Sequence, residues 1–76
     1  MSQRFPVLKP KDVIRALQRA GFFIHHTSGS HHILKHPEHP QLRVTVAYHK
    51  KELKRKTLAS ITEQTGFSLE EFIKLL

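Results

Sequence analysis

Residues 29–32 read Gly29-Ser30-His31-His32, two imidazoles placed directly behind a flexible dipeptide. Histidine is the side chain whose ordinary pKa, about 6.5, lets it take or give a proton near neutrality. One well-placed base or acid typically contributes roughly 10²–10⁴-fold to a rate. Gly29 permits a sharp turn and leaves room for an anionic group to approach the backbone closely. In an extended segment His31 and His32 point to opposite faces. One then meets the core and the other solvent, and because Ile33 and Leu34 are both apolar, the pattern does not say which.

The chain carries five more histidines: His25, His26, His36, His39 and His49. There is no cysteine, so a zinc site would need three or four imidazoles, or added carboxylates, to converge. Vicinal histidines in strands diverge, and no His-x-x-x-His occurs on a helical segment. No metal is therefore expected. His25, His26, His36 and His39 are expected on the surface of a hairpin, whereas His49, or else Lys35 or Lys50, could serve the same region as His31 and His32.

A second constellation is cationic. Lys50, Lys51, Lys54, Arg55 and Lys56 fall within seven positions, and Lys35 and Arg43 sit on neighbouring strand segments. Thirteen Lys and Arg against six Asp and Glu give a formal net charge of +7. So large a surplus on so small a body points to a polyanionic partner, most often nucleic acid. Lysines in a loop before a helix reach phosphates rather than base edges, which gives affinity without sequence reading and strong salt dependence.

The elements that must hold these residues are short. Residues 1–8 have no clear period and read as a tail. Pro10 stands where a helix can begin, Val13, Ile14, Leu17 and Ala20 follow at helical spacing, and Gly21 suits the left-handed residue after the helix end. Phe22 to Thr27 reads as a strand, Ser28-Gly29-Ser30 as a turn and His31 to His36 as the returning strand. Pro37 to Gln41 reads as a loop because two prolines do not belong in a central strand. Leu42, Val44 and Val46 alternate with Arg43, Thr45 and Ala47, the pattern of a strand with one buried face. A helix is expected from close to Thr57 to Gly66, burying Leu58 and Ile61. Ser68 and Glu71 have capping-box spacing for a last short helix, with Phe67 and Phe72 at the staple positions.

Helix, three strands, helix, short helix predicts an α+β domain over residues 1–76: a three-stranded antiparallel sheet with helices on one face. At 76 residues only about 60% of the unfolded surface can be buried, so most apolar residues must join one core. No apolar run approaches the roughly 18 residues of a membrane span, and no signal-peptide hydrophobic region opens the chain. A soluble, cytoplasmic protein that needs no small-molecule cofactor is expected.

Ala20-Gly21-Phe22, Gly29-Ser30-His31-His32-Ile33, Val44-Thr45-Val46, Leu53 through Thr57-Leu58 to Ile61, and Thr65-Gly66-Phe67 together resemble the HicA family. The likeness runs from about Lys9 to Leu75. It implies a double-stranded-RNA-binding-domain-like fold, α-β-β-β-α, and a toxin that cleaves mRNA independently of the ribosome and is neutralised by a HicB-like antitoxin. It implies too that a histidine of the Gly-Ser-His segment is required, with His32 and His31 the catalytic candidates and His32 slightly preferred. Gly29, Ser30, Lys35, Arg43, His49, Lys50, Lys51, Lys54, Arg55 and Lys56 become the RNA-binding candidates. Two positions depart from the family pattern: Ala47-Tyr48-His49 stands where Pro-x-His is common, and Lys56-Thr57 where Gly-Thr is common. The second raises the question of whether lysine must adopt a positive φ. The alternative reading is a non-catalytic RNA-binding module of the same fold.

Overall fold

The computed structural model describes residues 7–76. The order is α1 (Pro10–Arg19), β1 (Phe23–Ser28), β2 (His31–His36), β3 (His39–Ala47), α2 (Arg55–Thr65) and α3 (Leu69–Ile73). The strands form one antiparallel sheet in the order β1-β2-β3, so the predicted α+β class and the α-β-β-β-α order hold.

α1 starts where its sequence allows. Pro10 occupies the first turn, where its missing N–H is not needed, and the Asp12 carboxylate accepts the Lys9 N–H at 3.0 Å. Val13, Ile14, Ala16 and Leu17 are buried. Gly21, at φ +100°, lets the chain reverse into Phe22, which is buried. Leu34, Val44 and Val46 from the sheet, Val13 and Leu17 from α1, Leu58 and Ile61 from α2 and Phe72 from α3 fill one core. At the end of the chain the reciprocal cap is complete: Ser68 N–H donates to Glu71 Oε1 at 2.9 Å and Glu71 N–H donates to Ser68 Oγ at 3.1 Å. Arg19 Nη1 donates to the Leu75 carbonyl at 2.8 Å, tying the last residues to α1.

β1 runs one residue later at each end than the expected Phe22 to Thr27, and three larger differences from the sequence expectation follow. β3 begins at His39, not near Leu42, and the loop before it shrinks to Pro37-Glu38. The reason is that β3 is an edge strand, where a proline such as Pro40 removes no ladder bond the sheet needs. α2 begins at Arg55, not Thr57, and Lys56 lies inside it. No non-glycine residue described has a positive φ, so the Lys56-Thr57 departure strains nothing. Of the expected tail, Met1 to Pro6 lie outside the described residues. Val7 is exposed, while Leu8 is buried and its carbonyl accepts the Leu53 N–H at 2.7 Å. Among the described residues no helix is long and apolar enough to cross a membrane.

Candidate active site

The β1–β2 turn is two residues long. Gly29 has φ +59° and Ser30 does not have a positive φ, the sign pattern of a type II′ hairpin, whose first central position calls for glycine. A Cβ built on Gly29 would meet nothing within 4 Å, so the space above the turn is open. The ladder continues past Ala47, because Tyr48 N–H donates to the Ser30 carbonyl at 2.7 Å.

Register then separates the two histidines. His32 lies opposite Val46, next to the Leu34–Val44 pair, and so faces the helices. Its ring packs on Tyr48 with centroids 4.8 Å apart, and its Nδ1 is buried with no hydrogen-bond partner. His31 lies opposite Ala47 and Ser28, on the other face, and is exposed. It lines a groove of about 380 Å³ with Thr45 and Ala47 of β3 and Lys56, Thr57, Ser60 and Gln64 of α2. Gln64 Oε1 accepts the Thr45 N–H at 3.0 Å, which fixes α2 along the edge of β3.

The groove has a basic rim. Lys54 precedes α2 and Arg55 and Lys56 occupy its first turn, where no acidic residue stands. Cations there face the positive end of the helix, an arrangement that costs roughly 0.3–1 kcal/mol per charge at low salt and that a bound anion would offset. Lys50 and Lys51 lie exposed in the preceding loop. Lys35 and Arg43 are cross-strand partners on the same face as His31. Two like charges directly opposite each other in a sheet are also destabilising, so this pair adds a second place where an anion would help.

His49 is not brought to this groove. With Tyr48, Lys9, Lys11 and Lys50 it lines a separate depression, and its Nδ1 accepts the Lys51 N–H at 3.2 Å. His36 is used up structurally: Nε2 donates to the Ala20 carbonyl at 3.0 Å and Nδ1 accepts the Glu38 N–H at 3.1 Å. A carbonyl can only accept and an N–H can only donate, so these bonds specify the neutral Nε2–H tautomer. The His39 ring lies 5.0 Å from it.

The expectation that vicinal histidines diverge holds for His31 and His32 and fails for His25 and His26. A β-bulge falls between Ile24 and His26. The extra residue turns His25 to the side of His26, and their Nδ1 atoms approach to 2.8 Å. No third ligand joins them: among the described residues no group of three or more His, Asp or Glu is placed to hold a metal ion.

A family model described as the HicA toxin of bacterial toxin-antitoxin matches residues 10–67, which takes in α1, the sheet, α2 and every residue of the groove. No curated protein matches the chain.

Proposed function

From the premise that this chain belongs to the HicA toxin family, and so to a toxin–antitoxin pair, we propose that it is a metal-independent endoribonuclease acting on mRNA. In this reading His31 is the base, the scissile phosphate lies over His31 at the mouth of the groove between β3 and α2, and a HicB-like antitoxin covers both. The observation that supports it best is the exposed His31 in a groove walled by Lys56 and the hydroxyls of Thr57 and Ser60. Those groups offer a proton acceptor, a cation and hydroxyl donors to a phosphodiester.

RNA can be cut without a metal because its 2′-hydroxyl is an internal nucleophile. His31 removes that proton, the 2′-oxygen attacks phosphorus, and the bond to the 5′-oxygen breaks to leave a 2′,3′-cyclic phosphate. Lys56 and the positive end of α2 stabilise charge on the phosphorane, an effect that is largest in a preorganised site. Lys50, Lys51, Lys54 and Arg55 hold the neighbouring phosphates, while Gly29 and Ser30 leave the approach open. Burial of His32 Nδ1 and its packing on Tyr48 favour His31 over His32 as the proton acceptor and give His32 a positioning role beneath it.

The test is cleavage of labelled RNA by purified protein in EDTA, beside His31→Ala and His32→Ala. We expect cutting by the wild type with metal chelated. His31→Ala should lose about 10²–10⁴-fold in rate with RNA binding retained, and His32→Ala should lose less and melt at a lower temperature. Tight, salt-sensitive binding by a wild type that never cleaves would replace this reading with that of a non-catalytic RNA-binding module.

A further inference from the structure

A single base leaves the departing 5′-oxygen without a proton donor, and neither Lys56 nor the α2 hydroxyls supply one as readily as an imidazole. The open face of the sheet does. Ser28, His31 and Ala47 form one row across the three strands, and His26, Ile33 and Thr45 form the next. His26 is therefore the diagonal neighbour of His31, on the same face and one strand over. Diagonal pairs in an antiparallel sheet lie about 7–8 Å apart, a separation that two imidazoles can span with a phosphate between them. An in-line displacement needs that arrangement, since the attacking and leaving oxygens lie on opposite sides of phosphorus.

We infer that His26 is the general acid of the same reaction and that His25 is its positioning residue. The inference rests on the nuclease reading above. The bulge creates both roles, because without it His25 would point to the opposite face from His26. With it, the two Nδ1 atoms share one hydrogen at 2.8 Å. His26 Nδ1–H donates to the lone pair on His25 Nδ1, which fixes the ring plane of His26 and the tautomer that remains once its Nε2 proton has left, much as a carboxylate orients a catalytic imidazole. His26 Nε2 remains without a protein partner among the described residues and carries the proton that is delivered. His25 is flanked in turn by the Phe23 ring, 6.3 Å away centroid to centroid.

The proton balance closes. The 2′-hydroxyl proton passes to His31 as the 2′-oxygen–phosphorus bond forms. The His26 Nε2 proton passes to the 5′-oxygen as the phosphorus–5′-oxygen bond breaks. His31 leaves the step protonated and His26 leaves it neutral, its Nδ1–H still directed at His25 Nδ1, and exchange with water restores both.

The experiment compares two substrates in EDTA, an ordinary RNA and the same RNA with sulfur in place of the scissile 5′-oxygen. A thiolate departs without being protonated, so the second substrate needs a base but no acid. His26→Ala and His26→Gln should lose about 10²-fold or more on the oxygen substrate and stay within a few-fold of wild type on the sulfur one. His31→Ala should lose both. His25→Ala should show a smaller loss, again confined to the oxygen substrate, and His25→Asn, whose amide oxygen can accept the same hydrogen, should recover part of it. Full cleavage of the oxygen substrate by both His26 variants overturns the assignment. So does an equal loss on the two substrates, which would mark a binding or folding role. A wild type that cuts neither substrate overturns the nuclease reading itself, and the acid with it.

Discussion

The two turns of the sheet each border a histidine of β2, and the two rings are placed in opposite ways. At the Pro37-Glu38 turn, His36 spends both ring nitrogens on backbone groups, joining the end of β2 to the end of α1 through Ala20 and to its own turn through Glu38. At the Gly29-Ser30 turn, His31 has no protein partner among the described residues and stands in the mouth of a basic groove. The residue type is the same and the strand is the same. What distinguishes the two imidazoles is whether their nitrogens are already occupied, and that is a property of the turn each one borders.

The glycines repeat the contrast. A Cβ on Gly21 would sit 2.7 Å from His36 Nε2, whereas one on Gly29 would meet nothing. Both have positive φ, so alanine strains either backbone, but only at Gly21 does it also displace a buried-side hydrogen bond.

The largest effect that could break this comparison is on activity. His31→Ala should lose cleavage with little change in melting temperature, and His36→Ala should do the reverse. Removing His36 takes away the partners of the half-buried Ala20 carbonyl and the exposed Glu38 N–H, and a typical intramolecular hydrogen bond contributes about 0.5–1.5 kcal/mol. For a chain of this size each 1 kcal/mol corresponds to about 4–8 °C in Tm, which calorimetry resolves, while the folded fraction should keep its specific activity. Equal loss of cleavage in both variants would dissolve the distinction between the two ends. Next in size, Gly21→Ala should lower Tm more than Gly29→Ala does. Smaller still, Lys54→Ala and Lys56→Ala should each weaken RNA binding and reduce the slope of log K against log salt by about one, whereas Arg15→Ala, on α1 and away from the groove, should leave that slope alone.

The smallest expected effect lies outside both ends, in the cap of α3. The Ser68 backbone N–H, then its hydroxyl, and to a lesser degree Lys74 hold the Glu71 carboxyl below its ordinary range. A lowered folded-state value means that the cap's contribution is fully present above the unfolded carboxylate value and fades as pH falls through the folded one. Glu71→Gln should flatten the acid limb of the stability–pH curve slightly, with no change near neutrality beyond the loss of the charge. The group is exposed, so the change is expected to be small.

Much of this was legible in the residues because it is local. The α1 start at Pro10, the Gly21 reversal, the Gly-Ser turn and the Ser68–Glu71 box each depend on positions within four of one another, and each stands where its chemistry requires. Two features were not legible. Pro37 and Pro40 gave the same warning, yet only Pro37 belongs to the turn. Whether a proline can join a strand depends on that strand being at the edge, which is a fact of sheet order. The bulge at β1 was hidden for a similar reason: Phe23-Ile24-His25-His26 shows no irregular pattern, and the extra residue emerges only when Ile24 pairs with Leu34 and His26 with Ile33. Strand periodicity therefore gave the right answer for His31 and His32 and the wrong one for His25 and His26. The contact of His32 with Tyr48, two positions beyond Val46, was not legible either, because it depends on how the end of β3 pairs with β2.

That bulge has one more consequence. Within the described residues β1 pairs only with β2, and every residue of β1 is exposed, so its outer rim offers backbone donors and acceptors to any passing strand. A regular rim of that kind is a template for association between copies. The residue inserted at His25 breaks the even spacing of those groups and increases the local twist, so a second chain could not follow the rim for more than a few residues. The side on which β1 is open to solvent is thus kept from becoming a seed for aggregates, by the same residue that turns two histidines toward each other.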